Sequence, residues 1–349
     1  MSGNRTAGLP RQDQPLVTAA EWFAGGQRIW YDPGSARVLT EQEAAATPGT
    51  LRVFERVAAA GQDPDAVWLT MLPGFPDGSY GWTQVDRMLG DLGPRLYVEP
   101  VGQGDSDKPR DYPYSTVERA DLVEALWRHH DVRRTVVVTF DYTSLALLEV
   151  LRRQLERTAS RDIASDTARP VIAAALMVNG GLFADAHTHP WQGTPLLRTS
   201  LGALAMRGWQ RSPRAFGTGW KRARVYSRDY HPAPAELAEL WSAISRRDGA
   251  AFAHNAAGFV AEHRRHARRW DLAAIARELD GAVALYVGGS EEDPYEHRQI
   301  AATRERVPGA QVLTFPGGHL TTSEHPDRLA AAIREVAARH GVGTPSRCP

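Results

Sequence analysis

The run Thr135-Val-Val-Val-Thr-Phe140 stops at Asp141, and Tyr142-Thr-Ser144 leads at once into Leu145-Ala-Leu-Leu-Glu-Val-Leu-Arg-Arg153. A buried β-run that breaks sharply into an amphipathic helix pushes the side chain at the break out of the sheet's carboxyl edge. There it sits beside a helix N-terminus. A serine in that position attacks carbonyls and needs a base to take its proton. An aspartate is ordinarily ionised at neutral pH, so it suits direct displacement at a saturated carbon, as in an epoxide or an alkyl halide.

Other segments carry the residue types such a nucleophile needs. Phe315-Pro-Gly-Gly-His319 sets a histidine after a strand and two glycines, just before the last helix. Val287-Gly-Gly-Ser-Glu291-Glu292-Asp293-Pro294 sets an acidic cluster directly after another strand. Nucleophile, acid and histidine then follow in an order that suits a charge-oriented base. The orienting acid is expected at Glu291 or Glu292, with Asp293 also open. Leu72-Pro-Gly74-Phe75-Pro76 follows an earlier strand, where the Phe75 N–H can aim at the same point as the Tyr142 N–H and form an oxyanion hole. Tyr226 and Tyr230 are candidate substrate-binding residues, able to donate to an epoxide oxygen or else to pack with a wet hydroxyl.

These residues must be held by a sheet. Residues 27–31 and 51–57 read as early antiparallel strands separated by a polar loop. From residue 66 onward strands are expected at 66–72, 95–101, 135–140, 171–178, 282–288 and 310–316. Helical patterns run at 82–92, 117–130, 142–157, 296–306 and 325–340. The alternation predicts an α/β chain with a mostly parallel central sheet flanked by helices. The rhythm stops over 183–275, where Leu237, Leu240, Trp241 and Ile244 make one apolar helix face beginning near Pro234, and a second helical pattern covers 250–270. The expected organisation is a core of 1–182 and 276–349 with a helical cap, or lid, at 183–275. Ligand sites favour such junctions.

Composition excludes several classes. Basic and acidic residues balance at 41 each, so no nucleic acid or other polyanionic partner is expected. The longest apolar stretch, Val171 to Val178, is far short of the ~20 residues of a membrane helix. The single cysteine, Cys348, allows no internal disulfide and fits a reducing compartment. With no apolar signal core in Met1–Pro10, a cytoplasmic location is expected. Gly102-Gln-Gly104 lacks the third glycine of a dinucleotide loop and opens into Asp105-Ser-Asp107 rather than a helix. His187 and His189 have no acidic or thiol partners in sequence that would suggest a metal, and Arg264, Arg265, Arg268 and Arg269 read as a solvated helix face. No cofactor and no metal is expected.

Pro73-Gly-Phe-Pro76, Gly102-Gln-Gly-Asp-Ser-Asp-Lys-Pro109, the Asp141 break and Gly318-His319 together resemble the α/β-hydrolase superfamily. The similarity is to its haloalkane dehalogenase and epoxide hydrolase branch, which has an aspartate nucleophile. Asp141-Tyr142, Asn179-Gly-Gly-Leu-Phe183 with His187, and Leu240-Trp241, Arg247-Asp-Gly249 and Arg268-Arg-Trp270 are similar to hydrolases of the mesoderm-specific transcript type. The matches run from about residue 50 to 340. The resemblance implies an α/β-hydrolase fold with an inserted cap, Asp141 as nucleophile, His319 as base and no cofactor. Departures are equally visible. The family usually has histidine where Pro73 and Phe140 stand and glycine where Thr143 stands. Tyr142 replaces the dehalogenases' tryptophan, and Asn179 cannot serve as an acid.

The function expected from these residues is that of a cofactor-free hydrolase. Asp141 forms an alkyl ester with a small, largely apolar substrate that is epoxide-like or halide-like. Two other readings use the same residues: a lyase or lactone-opening enzyme, and a catalytically inactive hydrolase-like binding protein suggested by Pro73, Phe140 and Thr143. The pattern fixes neither the substrate nor the oligomeric state.

Overall fold

A computed structural model of the protein describes residues 15–59, 61, 63–109, 111–160, 170–188, 204, 208, 212–248 and 261–343. Among the described residues the strands are β1 (Gln27–Asp32), β2 (Arg37–Leu39), β3 (Leu51–Ala58), β4 (Val67–Leu72), β5 (Arg95–Val98), β6 (Arg134–Phe140), β7 (Val171–Val178), β8 (Ala284–Ser290) and β9 (Gln311–Phe315). They form one sheet in the order β2-β1-β3-β5-β4-β6-β7-β8-β9. The β1–β2, β1–β3 and β3–β5 pairs are antiparallel and every later pair is parallel. The α/β-hydrolase fold anticipated from the sequence is the fold observed.

The helices used below are α1 (Ala19–Ala24), α2 (Glu41–Ala46), α3 (Thr83–Leu89), α4 (Thr116–His129), α5 (Thr143–Ser160), α6 (Pro213–Ala223), α7 (Pro234–Ser245), α8 (Leu272–Leu279), α9 (Gln299–Arg306), α10 (Thr321–Glu324) and α11 (Pro326–Arg339). Residues 32–50, read as a polar loop, instead hold β2 and α2. Thr40 starts α2 with a capping box to Glu43, just as Thr18 starts α1 with Glu21. Two side chains thereby satisfy amides that a short helix leaves open.

Helices on both faces explain why the central strands read as unbroken apolar runs. Val136 and Val138 of β6 point into one core layer, with Trp82, Phe140 and Leu176. Val137 points into the other, with Trp127, Leu145 and Leu148. The sheet is therefore pinned from two sides, and the loops at its carboxyl edge inherit that rigidity.

No strand interrupts the described residues between β7 and β8. In α7 Leu240, Ala243 and Ile244 are buried while Leu237 and Trp241 are half-buried. Lys108 Nζ donates to the Ile244 carbonyl at 2.9 Å, and Arg246 and Arg247 pair with Asp105. The inserted segment is thus docked on the loop that follows β5. Arg264, Arg265 and Arg268 are exposed, but Arg269 is not part of a free face, because it pairs with Glu149 and Glu156. Residues 249–260, His189 and Cys348 lie outside the described residues, so most of the second expected helical pattern does too. No helix among the described residues is long and apolar enough to cross a membrane.

Trp270 closes the insertion against α5: it is fully buried, and its Nε1 donates to Glu149 Oε2 at 2.7 Å. Trp270→Ala is expected to lower unfolding stability by about 3–5 kcal/mol, the usual range for emptying a buried aromatic site. Urea unfolding should show this as a lower midpoint with an unchanged slope.

Candidate active site

Asp141 is at the tip of the break between β6 and α5 with φ of 57°. That left-handed conformation is uncommon for a residue with a Cβ and is tolerated best by aspartate and asparagine. It is held by neighbours: the Asp141 N–H donates to the Val178 carbonyl, and the Ser144 N–H donates to the Asp141 carbonyl, each at 3.0 Å. Close approach is made possible by two glycines. A Cβ on Gly180 would collide with Ser144 Oγ, and one on Gly74 would collide with the Phe140 ring.

Those contacts account for two sequence departures. Thr143 was expected to crowd the strand, yet its Oγ1 turns back to donate to the Phe140 carbonyl at 2.9 Å. The small residue needed at the crossing is supplied from the other side, by Gly180 facing Ser144. Phe140 is buried and lies edge-on to Trp82 at 6.2 Å and tilted over His319 at 5.5 Å. An aromatic wall therefore stands where a histidine is usual.

Three of the segments expected to converge do meet. The Phe75 N–H donates to Asp141 Oδ2 at 3.0 Å, and His319 Nε2 lies 3.6 Å from Asp141 Oδ1. The Phe75 loop is braced by Gln103 Nε2, which donates to the Gly74 carbonyl at 2.9 Å. Tyr142 follows Asp141 directly and is buried, its ring 5.7 Å from that of His187.

The acid behind the imidazole is not one of the two glutamates. Asp293 Oδ2 lies 2.8 Å from His319 Nδ1 and is fully buried, whereas Glu291 and Glu292 are exposed. β8 runs on to Ser290, and the Asp293 N–H folds back to the Ser290 carbonyl at 3.3 Å. That turn carries Glu291 and Glu292 across the strand end, where their amides bond to the carbonyls of Phe315 and Gly317, and delivers Asp293 inward. Burial alone would lower the His319 pKa. The charge of Asp293 and the hydrogen bonds to Asp141 and Asp293 outweigh that and hold the imidazole well above its ordinary value.

The two tyrosines part company. Tyr230 is committed within the insertion, its hydroxyl donating to Glu236 at 2.6 Å. Tyr226 lies between tethers to the His319 loop: Leu320 N–H donates to the Val225 carbonyl at 3.1 Å, and Glu324 accepts from both Ser227 N–H and Gly318 N–H at 3.0 Å. The Tyr226 hydroxyl is buried with no hydrogen-bond partner among the described residues.

Several residues around the site were not singled out for these roles in the sequence. Asn179 ties three strand ends together: its Nδ2 donates to Ser290 Oγ and to the His319 carbonyl, and its Oδ1 accepts from Ser290 N–H. Its spacing, directly after an apolar strand and before two glycines, was the available signal. Glu296 lies 2.7 Å from His187 Nε2, and both are buried. Burial, then Asp293, pushes Glu296 well above the carboxylate range, while burial pulls His187 down to about 4. His187 is therefore neutral at ordinary pH, and Glu296 is pushed toward its protonated form. Asp77, two residues past Phe75, is buried with Oδ1 unbonded.

A carboxylate with an amide against it and an imidazole backed by a second buried carboxylate can support nucleophilic attack followed by base-assisted hydrolysis. Among the described residues one His/Glu group is close enough to hold a metal ion, Glu55 with His129 and His130. None of its residues belongs to the contacts around Asp141.

A family model described as alpha/beta hydrolase family matches residues 71–332. LipZ of Mycobacterium tuberculosis, named as a hydrolase, is 29% identical over 272 residues, spanning 77% of this chain and 87% of that protein. The human mesoderm-specific transcript homolog protein is 28% identical over 228 residues, 63% of each chain. Among solved structures, the haloalkane dehalogenase DatA from Agrobacterium tumefaciens superposes with a TM-score of 0.62 at 15% identity, covering 90% of this chain and 97% of its own. A thermophilic esterase from Thermogutta terrifontis gives 0.62 at 17% identity, covering 90% and 100%.

Asp293→Asn is expected to lower the His319 pKa, because it removes the charge that raises it most. Glu291→Gln and Glu292→Gln should leave that pKa in place. Titration of the imidazole resonance by NMR checks all three.

Proposed function

The chain belongs to the alpha/beta hydrolase family, and on that premise we propose that it is a cofactor-free hydrolase with Asp141 as nucleophile. The observation that carries this reading is the double engagement of the Asp141 carboxylate, by the Phe75 N–H at 3.0 Å and by His319 at 3.6 Å. Buried carboxylates without a job are expensive to keep charged, and this one is held open by backbone and imidazole donors. Asp141 Oδ1 attacks a saturated carbon and displaces a leaving group, forming an alkyl ester. Residues 183–275 serve as the cap that excludes water during that step.

Attack also changes the base. While Asp141 carries its charge, its hydrogen bond helps keep the His319 imidazole protonated. Esterification removes that charge and lowers the pKa of His319, which releases its Nε2 proton to solvent while Asp293 keeps the ring oriented through Nδ1. The neutral Nε2 then takes a proton from a water that attacks the ester carbonyl. The Phe75 and Tyr142 N–H groups hold the resulting oxyanion, each such donor being worth about 3 kcal/mol. The alcohol leaves with a proton returned by His319, and Asp141 regains its carboxylate once the proton left on its carboxyl is given up.

Asp293 takes over the orienting role expected of Glu291 or Glu292. Tyr226 remains the tyrosine available to a substrate oxygen, since Tyr230 is bonded to Glu236. An epoxide-like substrate is favoured over a halide, because Tyr142 stands where the dehalogenases carry tryptophan. Similarity over 90 residues, at 34% identity, to an enzyme named haloalkane dehalogenase is in keeping with this reading.

With a panel of terminal epoxides, His319→Gln is expected to accumulate a covalent adduct on Asp141 and to lose at least about 100-fold in turnover, the range for removing a general base. Asp141→Asn should form no adduct. Intact-protein mass spectrometry with peptide mapping reads both. An adduct elsewhere, or full turnover by Asp141→Asn, would contradict the assignment.

A further inference from the structure

Around Asp141 most buried polar groups are spoken for. Asp141 has Phe75 and His319; Asp293 has His319 and the Tyr295 N–H at 2.8 Å; Glu296 has His187. Among the buried side-chain atoms with no hydrogen-bond partner among the described residues are Asp77 Oδ1 and the Tyr226 hydroxyl. Buried polar atoms are nearly always paired, and an unpaired one inside a reaction site points to a group that arrives with the ligand.

The two orphans belong to one place. Asp77 is on the loop whose Phe75 amide touches Asp141, and Tyr226 is tied to the loop that carries His319. Asp77 interacts electrostatically with Asp141, His319, Glu99 and Tyr226. Those four groups belong to the β6–α5 break, the loop after β9, the end of β5 and the insertion.

We propose that Asp77 is a further catalytic residue, giving a proton, alongside the Tyr226 hydroxyl, to the oxygen that leaves carbon when Asp141 attacks. This rests on the nucleophile reading above and names the substrate class: a strained oxygen ring rather than an alkyl halide. Burial first, and then the charge of Asp141, push the Asp77 carboxyl up to about 7, so near neutral pH a large share of it carries the proton to be given. Departing bromide or chloride needs no proton, whereas the alkoxide from ring opening is a strong base and does.

The step balances. Asp141 Oδ1 forms a bond to the ring carbon, the carbon–oxygen bond breaks, and its electron pair takes the Asp77 proton. That leaves an ester, a hydroxyl and an Asp77 carboxylate. In the second half water adds to the ester carbonyl through His319 and the diol leaves. The carboxyl proton then left on Asp141 returns to Asp77.

The test compares ester formation from 1,2-epoxyhexane and 1-bromohexane in the His319→Gln background, where the ester persists for mass spectrometry. Asp77→Asn, which can donate a hydrogen bond but no proton, should slow the epoxide reaction by about 100-fold while the bromide reaction stays within about threefold. Tyr226→Phe should show the same selectivity more weakly. With Asp77 present the epoxide rate should fall as pH rises above 7, because the donor is protonated below its pKa and spent above it; Asp77→Asn should remove that dependence. Equal slowing of both substrates, or of neither, overturns the proposal. No Asp141 ester from either substrate removes the nucleophile reading and this one with it. An Asp141 ester from both with no selective loss removes this one alone.

Discussion

The left-handed backbone at Asp141 is the constraint on which the site depends. It points one carboxylate away from the sheet, and it does so only because the surroundings over-determine it. Val178 takes the amide, Ser144 takes up the carbonyl, and Gly180 and Gly74 let neighbouring chains come close enough. Once the carboxylate is fixed there, the loops after β4 and β9 have a single point to converge upon. The Phe75 amide and the His319 imidazole meet it from different directions.

The second organising feature is the sorting of buried acids by what surrounds them. Asp293 faces an imidazole and stabilises its charge. Burial pushes Glu296, beside a neutral histidine, toward its protonated form, and burial followed by the charge of Asp141 pushes Asp77 the same way. Glu296 and Asp77 are thus pushed toward their protonated forms while Asp293 supports a charged imidazole, the division on which the proposed reaction draws.

Much of this was legible in the sequence because the signals were local. The break at Asp141, the alternation from residue 66 and the Gly-Gly-His319 loop each declare themselves within a few residues. What was not legible depended on register. Glu291, Glu292 and Asp293 are equivalent as an acidic run, and only the two extra residues of β8 with the turn back to Ser290 make the third one face inward. The fate of Tyr230 depended on Glu236, in the first turn of the helix expected near Pro234, and no spacing rule tells which side chain that turn will hold. Thr143 looked like an obstacle because the compensating Gly180 lies on another strand's end, 37 residues away in the numbering. The helices capped at Thr18 and Thr40 are six residues each, too short for an apolar period to show in the sequence.

The most direct test of the central claim is a single turnover in heavy-oxygen water, followed by peptide mapping of Asp141. If the carboxylate attacks and water then opens the ester at its carbonyl, the heavy oxygen enters Asp141 and the first product leaves without it. Label in the product with Asp141 unchanged would mean that water attacks the substrate itself, and the nucleophile would have to be given up.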